Sequence, residues 1–163
     1  MSERTPDPQV QQPPGTYNAE QGFQFSALAH EARIGNLIAA ADHIIQIFQA
    51  FGIPYSLMGG FSLKMRGSQR NTYDVDVAIG CEMVQLIEAL KTQPRSVKLL
   101  WRTMELSRLS VLRPSGPVSG VMRVFVRTGG QHNPGLNLDE VLTEVDIILR
   151  GVYCLSCNLP RLC

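Results

Sequence analysis

The sequence predicts a mixed α/β fold, an α+β domain built on a mixed β-sheet flanked by helices. Three observations carry this expectation. Four segments, 53–58, 73–79, 121–128 and 143–149, are short apolar runs or alternate strictly between faces, as strands do. Two stretches, one beginning near Ser26 and one near Glu82, place apolar residues at helical spacing. Each such helix has one apolar stripe to bury, and a sheet supplies the surface that buries it.

In chain order, residues 1–22 are rich in Pro, Gln and small polar residues and show no hydrophobic period, which reads as a disordered tail. Pro6, Pro8, Pro13 and Pro14 never fall at P-x-x-P spacing, so a ligand of that type is not supported. On this reading deletion of the tail leaves the melting temperature unchanged. The domain proper is expected over 23–151 and a Cys-bearing tail over 152–163. The first helix is expected from Ser26 as N-cap. Ile34, Leu37, Ile38, Ala41, Ile44, Ile45 and Phe48 form its stripe, and Gly52 lies beyond its end. His30 and His43 fall within it; lone helical histidines are usually structural or solvated, and neither is given a role. Met83, Leu86, Ile87 and Leu90 make the second stripe, and Pro94 stops it. The stretch 97–112 is ambiguous, with short strands at Leu99–Trp101 and Leu109–Leu112 and a turn at Pro114–Pro117. In 121–128, Met122, Val124 and Val126 face one way, and Arg123, Phe125 and Arg127 the other. The two arginines either line the cleft described next or simply face solvent.

The chemistry concentrates between Tyr55 and Ile79. An apolar run ends at Gly59-Gly60, where the chain can turn tightly and admit a ligand close to the backbone. Phe61 to Arg66 can form two turns of helix, closed by Gly67, and the amides of its first turn suit an anion such as phosphate. Asp74-Val75-Asp76-Val77 follows. Alternation puts both carboxylates on one face of the strand, where they repel unless a cation lies between them. Mg²⁺, a hard ion that takes one or two carboxylates and completes its shell with substrate phosphates, fits that need. The alternative is a solvated strand face showing two aspartates, although aspartate is disfavoured in strands.

Gly59-Gly60, thirteen residues, then Asp74-Val75-Asp76-Val77 resembles the nucleotidyltransferase superfamily, the polymerase-beta-like group. Arg70-x-Thr72-x-Asp74-x-Asp76 is similar to the form in minimal members related to bacterial toxin and antibiotic-modifying nucleotidyltransferases. The resemblance covers roughly residues 27–150. It implies a third carboxylate on a later strand, for which Asp146, flanked by Val145 and Ile147, is the better match and Glu144 the reserve. It also implies an NTP, such as ATP, as substrate and two Mg²⁺ ions, with Asp74, Asp76 and Asp146 as metal ligands and catalytic groups and Asp146 doubling as base. Gly59 and Gly60 would hold phosphate oxygens through backbone amides and Ser62 through its hydroxyl. Lys64 or Arg70 would offset charge as pyrophosphate leaves. Family members carry a helical region after the third carboxylate, whereas Gly151–Cys163 is unlike one. Acceptor binding is therefore expected from a helical partner protein, or the cleft is incomplete.

Composition narrows the remainder. The chain has 163 residues, 44% hydrophobic and 18% charged, with net charge +1, so no global field favours membrane or long nucleic acid. No apolar run reaches membrane-spanning length, and the N-terminus lacks a signal pattern. Cys81 is isolated and three cysteines crowd the last ten residues, which is no disulfide framework; an intracellular, cytoplasmic setting follows by default. Cys154-x-x-Cys157 is half a zinc site without a second half. Three function classes stand: an active Mg²⁺-dependent transferase acting on an unidentified hydroxyl, a nucleotide-binding pseudo-enzyme, and a protein-interaction domain.

Overall fold

A six-stranded mixed sheet, with strands Thr16–Tyr17 (β1), Tyr55–Met58 (β2), Asp74–Ile79 (β3), Val97–Leu100 (β4), Gly120–Thr128 (β5) and Val141–Leu149 (β6), forms the frame. The computed structural model describes residues 12–93, 96–100 and 120–149. The strand order is β1-β4-β5-β6-β3-β2. β3 and β6 run parallel at the centre, β5 and β2 flank them antiparallel, and β1 adds to β4 in parallel. The mixed sheet flanked by helices that the sequence predicts is thus present, and its four expected strands all lie in it.

Alternation decides the two faces. Val75, Val77, Met122, Val124, Val126, Val145 and Ile147 project to one side, each almost fully buried. The helices Ile34–Ala50 (α2) and Met83–Lys91 (α4) cover that side, with Leu37, Ile44, Phe48, Leu86, Ile87 and Leu90 buried in the same cluster. Truncating one of these large side chains to Ala costs roughly 2–5 kcal/mol, so this face alone accounts for much of a domain's margin. The short helix Gly59–Met65 (α3) adds Phe61 to the cluster.

The other face is covered by a helix that begins earlier than expected. Ala19–Ala29 (α1) is capped by Asn18, whose side chain accepts from the Gln21 amide while the Gln21 side chain accepts from the Asn18 amide. Residues 16–22 are therefore built into the fold, which corrects the reading of 1–22 as a tail. Tyr17 is 3% exposed and stacks edge-on with Phe25 and Phe125. Its hydroxyl donates to the Arg123 carbonyl at 2.8 Å, and burial pushes its pKa up to about 12, so it stays a neutral phenol. This trio explains why Phe125 is fully buried although its neighbours Arg123 and Arg127 are not.

Two further expectations change. Ser26 lies inside α1 and is no N-cap; the helices are two, separated at His30–Arg33, with Arg33 as the N-cap of α2. Ile34 and Ile38 are exposed, because α2 turns Leu37, Ala40, Ala41, Ile44 and Phe48 toward the sheet instead. The helix starting after Glu82 is observed as expected, with Glu82 as N-cap. Residues 1–11, Pro94, Trp101, Leu109–Leu112, the Pro114–Pro117 turn, Cys154-x-x-Cys157 and the 152–163 tail lie outside the described residues.

Candidate functional site: an acidic cluster beside the double glycine

Pairing of β3 with β6 places four carboxylates on one face in two rows. Asp76 is the register partner of Asp146, and Asp74 of Glu144. Same-face neighbours on adjacent strands approach within contact distance, so the central parallel pair concentrates negative charge. One carboxylate oxygen each from Asp74, Asp76 and Asp146 lie within 4.8 Å of one another, all three residues being half-buried. Such oxygens suit a hard divalent cation. Exposed acidic groups are also common without an ion, so the cluster by itself is not decisive.

Each carboxylate has its own surroundings. Asp74 accepts a hydrogen bond from the Thr72 hydroxyl at 3.1 Å. The Asp76 pKa lies above the usual carboxylate range, first through burial and then through the charges of Asp74 and Asp146, with Arg123 acting against them. Arg123, across from Asp146 on β5, donates two parallel hydrogen bonds to it, both at 2.8 Å. Its Nε also lies 2.9 Å from Glu144 Oε1. The Glu144 side chain is 11% exposed and takes a second contact from the Ser26 hydroxyl of α1 at 2.6 Å. These contacts raise the Arg123 pKa, led by the hydrogen bond to Asp146. Arg123 is the internal counter-ion of β6, and such bidentate charge-assisted pairs are among the stronger polar contacts.

The glycines are bound to this arrangement by space. Gly59 has φ 60°, and a β-carbon there would collide with Asp76 Oδ2. One at Gly60 would come within 2.8 Å of Thr72 Oγ1. The double glycine thus lets the backbone lie directly against the carboxylate strand. The two glycines are the first residues of α3, and with seven residues its macrodipole is short.

A cavity of about 420 Å³ opens beside the cluster, within the range of small-molecule sites. Gly60, Arg70, Asp74 and Asp76 line it, together with Thr72, Tyr73, Glu144, and Ser26 and His30 from α1. The structure therefore brings Asp74, Asp76 and Asp146 together, and sets Gly59, Gly60 and Arg70 beside them. Ser62 and Lys64, on α3, are half-buried and do not line the cavity. Of the two arginines on β5, Arg123 reaches the cluster. Arg127 instead lies 3.9 Å from Glu140. The contributions of Ser26 and His30 were hidden, since residues far apart in sequence meet only once α1 folds over the sheet. Thr72 had a visible signal in its place two residues before Asp74.

No family model matches the chain, and no curated protein sequence matches it. Among the described residues, no helix is long and apolar enough to cross a membrane.

Proposed function

We propose that this domain is a nucleotidyltransferase of the polymerase-beta-like class, transferring a nucleoside monophosphate from an Mg²⁺-bound NTP to a hydroxyl acceptor. The observation that carries the reading is the closeness of Asp74, Asp76 and Asp146 to one another beside a cavity that Asp74, Asp76 and Gly60 line, with no room for a side chain at Gly59 or Gly60. Asp74 and Asp76 would hold the ions, with Asp146 shared by the second. Bound there, Mg²⁺ supplies charge neutralisation of the triphosphate and a lowered pKa for the acceptor hydroxyl.

The chain's own groups do the rest. Backbone amides at Gly59 and Gly60 would border the phosphates, and the exposed Arg70 lines the neighbouring cavity. The acceptor oxygen attacks the α-phosphorus as the bond to the β-phosphate oxygen breaks, and pyrophosphate departs. The hydroxyl proton passes to a carboxylate of the cluster, Asp146 in the simplest arrangement. Arg123 holds Asp146 by both oxygens, so Asp146 can serve only when Arg123 releases at least one of them. Arg123, half exposed, would then turn toward the phosphates. A helical partner would complete acceptor binding, and the setting would be an intracellular compartment with Mg²⁺ and NTP at hand.

Arg123 also favours a second reading, in which nucleotide is bound without turnover because Asp146 stays locked. Transfer of label from α-phosphate-labelled ATP to hydroxyl-bearing small molecules and proteins separates the two. Transfer that is lost in Asp76→Asn supports the first. Binding of Mg²⁺–ATP without label transfer or pyrophosphate release across that panel replaces it with the second.

A further inference from the structure

The cavity has a wall that the phosphate chemistry does not use. Tyr73, immediately before Asp74, is 46% exposed, an unusual position for an aromatic ring beside a row of carboxylates. His30, the C-cap residue of α1 and also exposed, lies against it with ring centroids 5.0 Å apart and planes inclined by 33°. Both rings line the 420 Å³ cavity together with Asp74 and Asp76. Neither is needed by the apolar cores: the α2–α4 cluster and the Tyr17–Phe25–Phe125 trio both exclude them. The pair joins residues 43 positions apart, so α1 must be folded over the sheet before the wall exists.

Exposed rings next to a polar cavity offer a flat, sequence-tolerant stacking surface, and every nucleobase has a π-face to lay on it. Asn71, which also lines the cavity, carries an amide that both donates and accepts, as the hydrogen-bonding edge of a base requires. Arg70 adds a planar cation to the cavity lining. Building on the nucleotide reading above, we propose that Tyr73 and His30 form the base platform of the NTP site, with Asn71 at the base edge. α1 is then part of the binding site as well as a cover for the sheet.

The test compares two probes by calorimetry in millimolar Mg²⁺: ATP, and inorganic tripolyphosphate, which has phosphates and no base. Wild type should bind ATP more tightly. Tyr73→Ala should weaken ATP roughly 5- to 150-fold, the range of base–aromatic stacking, and leave tripolyphosphate unchanged. Tyr73→Phe, which keeps the ring, should retain ATP affinity. His30→Ala, at an exposed helix end, should lower ATP affinity alone and stands in if Tyr73→Ala melts early. Equal losses for both probes would make Tyr73 a mere support of Asp74 and overturn the platform, as would no loss for either. Equal affinity of the wild type for both probes overturns the platform while leaving the phosphate and metal reading standing. Binding of neither probe overturns both.

Discussion

Replacing Arg123 by Ala tests how the acidic face is held together. The guanidinium makes two 2.8 Å bonds to Asp146 and a 2.9 Å contact to Glu144, whose side chains are 13% and 11% exposed. Removing it leaves Glu144 with the Ser26 hydroxyl and facing Asp74 across the strands. Breaking a fully buried pair costs about 3–5 kcal/mol, but the Arg123 side chain is itself 47% exposed, so solvent screening reduces the figure. A loss of about 1.5–3 kcal/mol, the range for hydrogen bonds to charged groups, is the reasonable expectation. At roughly 2–4 °C per kcal/mol for a domain of this size, metal-free Arg123→Ala should melt about 3–12 °C lower at pH 7.5. Mg²⁺ should stabilise the variant more than the wild type, because the ion no longer competes with a guanidinium for Asp146. Differential scanning fluorimetry across Mg²⁺ concentration reads both effects. An unchanged melting temperature together with an unchanged Mg²⁺ midpoint would refute Arg123 as the counter-ion.

Asp76→Asn should behave in the opposite sense without metal. The folded-state pKa of Asp76 is raised, so its ionisation erodes stability as pH climbs from about 4 toward that value, and Asn escapes the penalty. The variant should be more stable by about 0.2–1 kcal/mol at pH 7.5 in EDTA and hold no advantage below about pH 4; lower stability at pH 7.5 contradicts the cause assigned. Gly59→Ala should lower stability and weaken the Mg²⁺ response, since its β-carbon displaces Asp76. Gly52→Ala, at φ 63° with open space around it, should carry only the backbone strain of about 1–2 kcal/mol. Equal behaviour of the two glycine variants would remove the steric argument. Deleting residues 1–22 should lower the melting temperature by about 6 °C or more, because it removes buried Tyr17, β1 and the cap of α1. An unmoved melting temperature would restore the tail reading.

The parts of the structure readable from sequence are those with a strong local period or a strong chemical oddity. Asp74-Val75-Asp76-Val77 is legible because two aspartates inside an apolar strand violate strand preference, and the pattern names both the strand and the face. The α2 and α4 stripes are legible as periods, though α2 was read a partial turn off, since Ile34 and Ile38 fit the same template as residues that face the sheet. α1 and β1 were not legible for physical reasons. A two-residue strand has no period, and α1 leaves Phe23 and Leu28 exposed, so its apolar residues mark no single buried stripe. Its real start was marked by Asn18-x-x-Gln21, a capping pattern hidden within a Pro- and Gln-rich run. The Arg123–Asp146 pair could not be read at all, because it depends on the register of β5 against β6, which alternation alone leaves free.

Calorimetric titration of the full chain with ATP, in millimolar Mg²⁺ and in EDTA, for wild type and Asp76→Asn, tests the central claim most directly. Heat of binding for the wild type in Mg²⁺, lost in EDTA and lost in Asp76→Asn, is the result expected if Asp74, Asp76 and Asp146 hold a metal-bound nucleotide. Equal binding in EDTA, or no heat and no shift of the melting curve at millimolar Mg²⁺ and ATP, would contradict it and leave the aspartates as a surface of an interaction domain.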